Sequence, residues 1–372
     1  MREADMRRTA FSTTAMSRFV LAEIVLAGLF CLVYSTGAWP WGYEGHRVVG
    51  SIADHLLKPN AAAQVQQILN AGDSHDLTLR LSGPWADCVK SVKHRNDTFE
   101  YVIDPEHYDF EVPCRPFKSE AERARMVDYA SRNWTNCPHQ PGDTDPSPCH
   151  STYHFDDVAI QRDHFDRSFQ GTNEHDLVAA IVAAIAVLQD KPAPPPFSIK
   201  DKKEALMLLT HFVGDLHQPL HVGSVYLDPD GKLVDPDVAH AVEPNSSTIG
   251  GNAIHDQNVN MHGEWDDIPT DIGDAATTEL LAVAQSVPPS QGPIENWPAD
   301  WATDTILMAH HAFEGVSFQH RDPDPPPAPQ NPQWKVSFDD HTAYLWEADI
   351  TKRRQLAKGG ARLAEILNTI WP

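Results

Sequence analysis

The chain of 372 residues is long enough for one large domain or two small ones. Its 52 acidic and 29 basic residues give a formal net charge of −23, which argues against a protein that binds nucleic acid through a broad basic surface. A substrate that carries phosphates stays compatible with this charge if bound metal ions supply positive charge locally.

The N-terminus has the pattern of a secretory signal. An apolar run over residues 19–34 is followed by the small residues 35–38 and is preceded by basic residues, namely Arg2, Arg7, Arg8 and Arg18. We therefore predict that residues 1–38, or as many as 40, form a signal peptide and that the mature protein is secreted or periplasmic. A retained membrane anchor is the alternative.

Two stretches after the signal carry candidate ligands. His46 precedes a helical pattern from Arg47 to about Leu69, and it lies close to a mature N-terminus whose α-amine is itself a possible metal ligand. Asp87 and Lys90 are three residues apart and would share one helix face. From these residues alone, a solvated ion pair is the better interpretation of Asp87 and Lys90.

The segment 91–153 is polar and rich in turn-forming residues, and we predict an insertion tied down by disulfides. An exported chain would lose Cys31 and keep four cysteines, for which three pairings are possible: Cys88, Cys114, Cys137 and Cys149. A zinc site made of cysteines alone is the alternative, but no CxxC spacing supports it. A short extended segment, 153–158, then places His154 among aromatic and acidic neighbours.

The remaining chain is dominated by helical patterns. We predict helices at 175–189, 201–217, 275–286, 298–314 and 341–369, with a second loop insertion at about 222–249 and a proline-rich tract at 323–332. Strand patterns are scarce and no internal repeat is present. The predicted fold is therefore mainly α: a single-domain multi-helix bundle over 39–372, with few or no strands.

Two stretches with ligand spacing stand out within these helices. His211 and Asp215 are four residues apart at the end of a helical run, and His221 follows Pro219. His262 and Asp266 repeat the same spacing. Imidazole and carboxylate ligands without thiolates fit zinc in a catalytic site, so these two stretches predict a metal site.

The whole mature chain resembles the zinc-dependent single-strand-specific nucleases and 3′-nucleotidases. The most specific part of the resemblance is HFVGDLHQPLH at 211–221 followed by NMHGEWD at 260–266. Its other parts are Trp41 with His46, Trp85-Ala86-Asp87 with Lys90, His154-Phe155 with Asp157, and Gly250-Gly251-Asn252.

The resemblance implies a cleft with three Zn²⁺ ions. The first would be held by Asp87, His154, His211 and Asp215. The second would be held by Trp41, through its α-amine and carbonyl oxygen, with His46 and the bridging Asp215. The third would be held by His221, His262 and Asp266.

The resemblance also implies a reaction and a substrate. A hydroxide bridging the first two ions would attack phosphorus, the third ion would stabilise the leaving 3′-oxygen, and Asp87 and Lys90 would act as catalytic residues. Phe155 and Asp157 would bind an unpaired base by stacking and hydrogen bonding. The expected substrates are single-stranded DNA and RNA and 3′-nucleotides, cleaved to 5′-phosphorylated products by a monomer without stable membrane association.

Three features depart from the resemblance or leave it open. Asp87 and His154 are much farther apart than in the family, with the cysteine-bearing insertion between them. Cleavage after Ala38 would leave Trp39-Pro40 in front of Trp41, so the mature N-terminus is either Trp39 or Trp41. The alternatives in function are a zinc-dependent phospholipase C, which would end its last ligand pair in glutamate, and a secreted zinc-binding protein without catalysis.

Overall fold

The computed structural model describes residues 41–72, 76–103, 111–137, 148–238, 246–256, 259–321 and 334–372. These residues belong to one unit that spans 37–372. The predicted signal peptide, Trp39 and the whole proline-rich tract at 323–332 lie outside the described residues.

The described residues are mainly α-helical, as predicted. The helices are α1 Tyr43–Leu56, α2 Pro59–Leu69, α3 Leu79–Ser82, α4 Trp85–Val89, α5 Glu111–Cys114, α6 Glu120–Arg132, α7 Cys149–Thr152, α8 Leu177–Leu188, α9 Lys202–Leu216, α10 Pro219–Val222, α11 Met261–Asp266, α12 Thr278–Gln285, α13 Trp297–Ala312 and α14 His341–Ile370. The strands are β1 Val92–Arg95, β2 Thr98–Tyr101, β3 Val158–Ala159, β4 Gly223–Ser224, β5 Ile254–Asp256, β6 Val259–Asn260, β7 Val316–Phe318 and β8 Trp334–Phe338.

Helix α9 lies at the centre of the core. Asp201 caps its N-terminus by accepting a hydrogen bond from the Glu204 amide, and every residue from Lys203 to Leu216 is buried. Helices α1, α8 and α14 pack around it. Because α9 is covered on all sides, the polar residues in its last turns lie in the interior of the protein, where they need partners.

The predicted helix from Arg47 to about Leu69 is two helices, so that prediction was wrong. Helix α1 ends at Leu56, and Pro59 begins α2. Proline disfavours a helical conformation at the residue before it, and Lys58 is accordingly extended, with ψ at 157°. Proline is well suited to the first position of the new helix, where its missing N–H removes no bond.

Short strands join segments that are distant in the sequence. Strands β6, β5, β8 and β7 form a sheet in that order, with β5 and β8 parallel and the other pairs antiparallel. Strands β3 and β4 form a parallel pair in which Val158 lies opposite Gly223. This pair holds the chain around His154 against the chain around His221, and the Asp156 amide donates to the His221 carbonyl at 2.8 Å.

The cysteine-bearing segment is fixed to the helical core. Disulfides join Cys88 to Cys114 and Cys137 to Cys149, which selects one of the three possible pairings. Within the segment, β1 and β2 form a hairpin and α6 packs its buried Tyr129 into the main core. No helix within the described ranges is both long and apolar enough to cross a membrane.

Candidate metal centre

The two ligand stretches lie where the central helix ends. His211 and Asp215 occupy the last two turns of α9, and Pro219 starts the short helix α10 that carries His221. Asn260 caps α11, which carries His262 and Asp266. The spacing of four residues therefore places each histidine and its aspartate on one helix face, as the sequence predicted.

Asp215 is the central carboxylate of the site. Its Oδ2 atom lies 2.9 Å from His154 Nδ1 and 3.2 Å from His211 Nε2, and its Oδ1 atom lies 3.3 Å from His46 Nε2. Asp87 Oδ1 lies 3.7 Å from His211 Nε2. Two overlapping groups result, both of which include His211: His46, Asp87 and His211, and His154, His211 and Asp215.

A third group stands beside this pair. His221 Nε2 and His262 Nε2 are 3.1 Å apart, and they lie 3.9 and 3.5 Å from the two carboxylate oxygens of Asp266. Gln218 donates to Asp266 Oδ1 at 2.6 Å. In all three groups, the candidate ligand atoms lie within 4.8 Å of one another.

The other ring nitrogens of three histidines are held by backbone carbonyls. The Nδ1 atoms of His211, His221 and His262 lie 2.8, 2.6 and 2.6 Å from the carbonyl oxygens of Gly83, His154 and Gly250. Donation to a carbonyl fixes the tautomer and leaves the lone pair on Nε2 directed into the site. This outer shell is the arrangement that metal-binding histidines require.

The buried carboxylates fit a cation. Asp215 and Asp266 are at most 2% exposed. Within the described part of the chain, Asp215 Oδ1 and Asp266 Oδ2 accept no hydrogen bond. A buried carboxylate oxygen without a donor is costly, and a bound metal ion would remove that cost. The mixture of imidazole and carboxylate ligands suits Zn²⁺.

Burial favours the neutral form of three of the imidazoles, whereas for His211 the carboxylates of Asp215 and Asp87 outweigh burial and raise the pKa. Burial lowers the pKa of His154 and His262 to about 3 and that of His221 to about 4. Burial raises the pKa of Asp266 well above its usual range, whereas for Asp215 the neighbouring imidazoles, His211 first, outweigh burial and hold its pKa well below. Neutral imidazole is the form that binds a metal ion, so His154, His221 and His262 are in the form that a metal ion needs.

Trp41 and Lys90 both border the site. Trp41 is fully buried, its Cβ atom lies against Gly45 of α1, and the next residue, Gly42, donates its amide to the Asp266 carbonyl at 2.9 Å. Lys90 Nζ lies 2.7 Å from Asp87 Oδ1. The predicted ion pair of Asp87 and Lys90 is therefore present, and it borders the candidate metal ligands instead of lying on the open surface.

A cleft opens over these groups. It is lined by the predicted residues Lys90, Phe155 and Asp157 and by the ligands His154, His221 and His262. Phe155 is half-buried, and burial raises the pKa of Asp157 to about 7. Every site residue predicted from the sequence thus lies at the metal centre, in this cleft or, for Trp41, directly beside them.

Sequence reasoning assigned no role to five other residues of the cleft: Ser151, Leu220, Ile249, Gly250 and Asn252. Asn252 belongs to the Gly250-Gly251-Asn252 motif, which was the available signal. Gly250 has φ of +55°, and a Cβ atom there would lie 2.3 Å from the Leu220 carbonyl oxygen. Only glycine therefore allows this turn to approach closely enough for its carbonyl to hold His262.

Comparison with known proteins agrees with this geometry. The family model of the S1/P1 nucleases matches residues 41–372. The chain belongs to the S1/P1 nuclease family. It is 24% identical to endonuclease 2 of Arabidopsis thaliana over 89% of this chain and 90% of that protein, and 25% identical to endonuclease 4 of the same plant over 90% of both. It is also 25% identical to nuclease P1 of Penicillium citrinum over 61% of this chain and 57% of that protein.

As an S1/P1 nuclease, the chain is a metal-dependent phosphodiesterase that acts on nucleic acid. The His and Asp groups described above are its candidate metal-binding residues. Family membership favours the nuclease interpretation over both alternatives considered from the sequence, the phospholipase C and the zinc-binding protein without catalysis.

Proposed function

We propose that the chain is a secreted or periplasmic endonuclease and 3′-nucleotidase that hydrolyses single-stranded DNA and RNA to 5′-phosphorylated products with three Zn²⁺ ions. The observation that carries this proposal is the adjacent burial of Asp215 and Asp266, each with a carboxylate oxygen that accepts no hydrogen bond from the described residues. These two residues would belong to different ions, so the groups around them make a multinuclear site.

Each of the three proposed ions has its own set of ligands, and Asp215 belongs to the first two sets. His154, His211, Asp87 and Asp215 would hold the first ion, and His46, Asp215 and Trp41 the second. His221, His262 and Asp266 would hold the third. Bound zinc would supply positive charge for the phosphodiester and would lower the pKa of water to about 7. This local charge explains how a protein of net charge −23 can bind a polyanion.

The chain's own groups would position the substrate. Lys90 lines the cleft and would donate to a non-bridging phosphate oxygen as negative charge develops there. Asp87 would orient the Lys90 ammonium through the 2.7 Å contact as well as hold a metal ion. Lys90 lies on the wall of the cleft that also carries His154, so the phosphate would bind close to the metal ligands.

Phe155 and Asp157 would select an unpaired base. The half-buried ring of Phe155 offers a stacking face inside the cleft, and the Asp157 carboxylate would accept from amino groups of the base. Stacking requires a base that is not paired and tolerates every base identity. Single-strand preference with little sequence preference follows from this arrangement.

The domain assignment is part of the same proposal. Residues 1–38, or up to 40, would be removed as a signal peptide, and 39–372 would form one monomeric nuclease domain without stable membrane association. The disulfide-bearing segment 91–153 and the loop 222–249 would be insertions in that domain. If the mature chain began at Trp41, its α-amine would complete the second ion's ligands; a start at Trp39 would leave only the carbonyl oxygen.

The test gives the purified mature protein single-stranded DNA, double-stranded DNA, RNA, a 3′-nucleotide and phosphatidylcholine, each with and without EDTA. We expect cleavage of the single-stranded substrates to products with 5′-phosphate and release of inorganic phosphate from the 3′-nucleotide, all abolished by EDTA and restored by Zn²⁺. Metal analysis should give three zinc ions per chain. Products with 3′-phosphate, or equal cleavage of duplex and single strand, would refute the proposal.

A further inference from the structure

The hairpin of β1 and β2 begins at the edge of the cleft. Lys90, which lines the cleft, lies two residues before β1, and the Lys93 ammonium donates to the Lys90 carbonyl at 3.2 Å. Asn96 and Asp97 form a two-residue turn with φ of 49° and 61°. The hairpin therefore starts beside the site that would bind the scissile phosphate.

One face of the hairpin carries positive charge. Lys93 and Arg95 are both exposed and point to the same side, because side chains two residues apart on a strand share a face. Within the described residues neither forms an ion pair. Glu100 and Thr98 lie opposite them on β2, so one carboxylate partly offsets the two cations.

The other face carries aromatic rings. The rings of His94 and Phe99 are stacked with centroids 4.4 Å apart, and Trp134 packs edge-on against Phe99 at 5.2 Å. His94 is exposed, so its stack reaches the surface. Trp134 in turn lies 5.7 Å from the ring of His150, the residue before Ser151 in the cleft wall.

We propose that this hairpin is an extended binding site for single-stranded nucleic acid, which takes nucleotides beyond the one held at the metal centre. Exposed cations on one face and the exposed ring of His94 on the other, in a hairpin that starts at the cleft, supply the two components that single-strand binding requires. The inference rests on the proposed action on single strands. It predicts that the enzyme prefers long substrates to a dinucleotide.

The test compares the dinucleotide of thymidine with a twelve-residue oligothymidylate, dT12. In the double variant Lys93→Gln and Arg95→Gln, the ratio of kcat/KM for dT12 to kcat/KM for the dinucleotide should fall about fivefold. The slope of log kcat/KM for dT12 against log salt should become shallower by about 1.4, since each phosphate contact on a single strand contributes about 0.7. His94→Ala should lower the same ratio about fivefold by removing a stacking surface.

The matched control removes two cations elsewhere. Lys191 and Lys202 lie beyond α8 and at the start of α9, and nine residues of helix, about 13 Å, separate Lys202 from His211. The variant Lys191→Gln and Lys202→Gln should leave the ratio unchanged. An unchanged ratio in the hairpin variant, or an equal fall in the control, would overturn the inference.

A binding measurement separates this inference from the proposed function. Fluorescein-labelled dT12 is titrated with the Asp87→Asn protein, with and without the hairpin substitutions, and anisotropy is read. If the unsubstituted enzyme cleaves none of the oligonucleotides, the proposed function fails, but weaker dT12 binding by the hairpin variant would still support the hairpin site. Equal binding would overturn the inference in either case.

Discussion

Two regions meet at the cleft, and they are held together by different forces. The central region consists of α1, α8, α9 and α14, whose apolar faces are buried against one another. The segment from Cys88 to Thr152 consists of short elements fixed by two disulfides and by ion pairs to α9, such as Lys203 with Glu122 and Arg132 with Glu204. Hydrophobic packing dominates the first region, and in the second region covalent and polar links add to the packing of residues such as Tyr129.

This difference has a consequence for the site. His46, His211 and Asp215 project from long helices, and packing in the central region sets most of their geometry. Asp87 and Lys90 lie where the two regions join, one residue before and two residues after Cys88. We therefore expect substitutions in the central region to affect metal binding and changes in the segment to affect substrate contacts.

The largest effect is expected from Asp215→Asn. The amide would remove a charge from two neighbouring ligand groups, and we expect metal loss together with a fall in activity above the roughly 10–100-fold range that outer-shell changes produce. Mass spectrometry measures the metal content, and a nuclease assay measures the activity. The control is Asp190→Asn, the same change at an exposed ion pair with Lys202. Full metal content in Asp215→Asn would contradict the assignment.

Lys90→Gln should have the next largest effect. Loss of a cation that faces developing phosphate charge is expected to lower kcat about 100-fold, with metal content unchanged. Lys90→Arg keeps the charge and should recover much of that loss. Steady-state kinetics decide the matter: a rise in KM without a fall in kcat would mean that Lys90 binds the ground state instead.

The central region was also the more predictable of the two. Spacings of four residues placed His211 with Asp215 and His262 with Asp266, because a helix repeats its faces on that scale. The segment gave weaker signals. Helix α6 has a largely polar sequence, the hairpin turn at Asn96-Asp97 contains no glycine, and cysteine spacing alone does not define a pairing.

Long-range pairing was not accessible from the sequence either. Strand β5 pairs in parallel with β8 across the proline-rich tract, and each contributes only a few residues. Strands this short have too little alternation to recognise. The same holds for β3 and β4, which bring His154 to His221. Their proximity was anticipated only through the resemblance to a known family.

The two disulfides should differ in their effect on stability. Loop-closure entropy predicts about 3.5 kcal/mol for Cys88–Cys114, with a sequence separation of 26, and about 2.8 kcal/mol for Cys137–Cys149, with a separation of 12. We expect paired alanine substitutions to lower the free energy of unfolding in that order, as measured by urea denaturation. Only Cys88–Cys114 adjoins Asp87, so only its removal should also lower kcat. An equal fall in kcat after removal of either disulfide would contradict the contrast between the regions.

The smallest effect is expected from Asp97→Gly, at the hairpin turn. Asp97 adopts φ of 61°, where a side chain is disfavoured and glycine is not, so glycine should stabilise the turn by about 0.5 kcal/mol. Asp97→Asn is the matched control, because it removes the same charge and keeps a side chain that tolerates this conformation. Urea denaturation compares the two. If the hairpin borders the substrate path, both variants should bind dT12 equally well, since they differ in turn strain and not in charge.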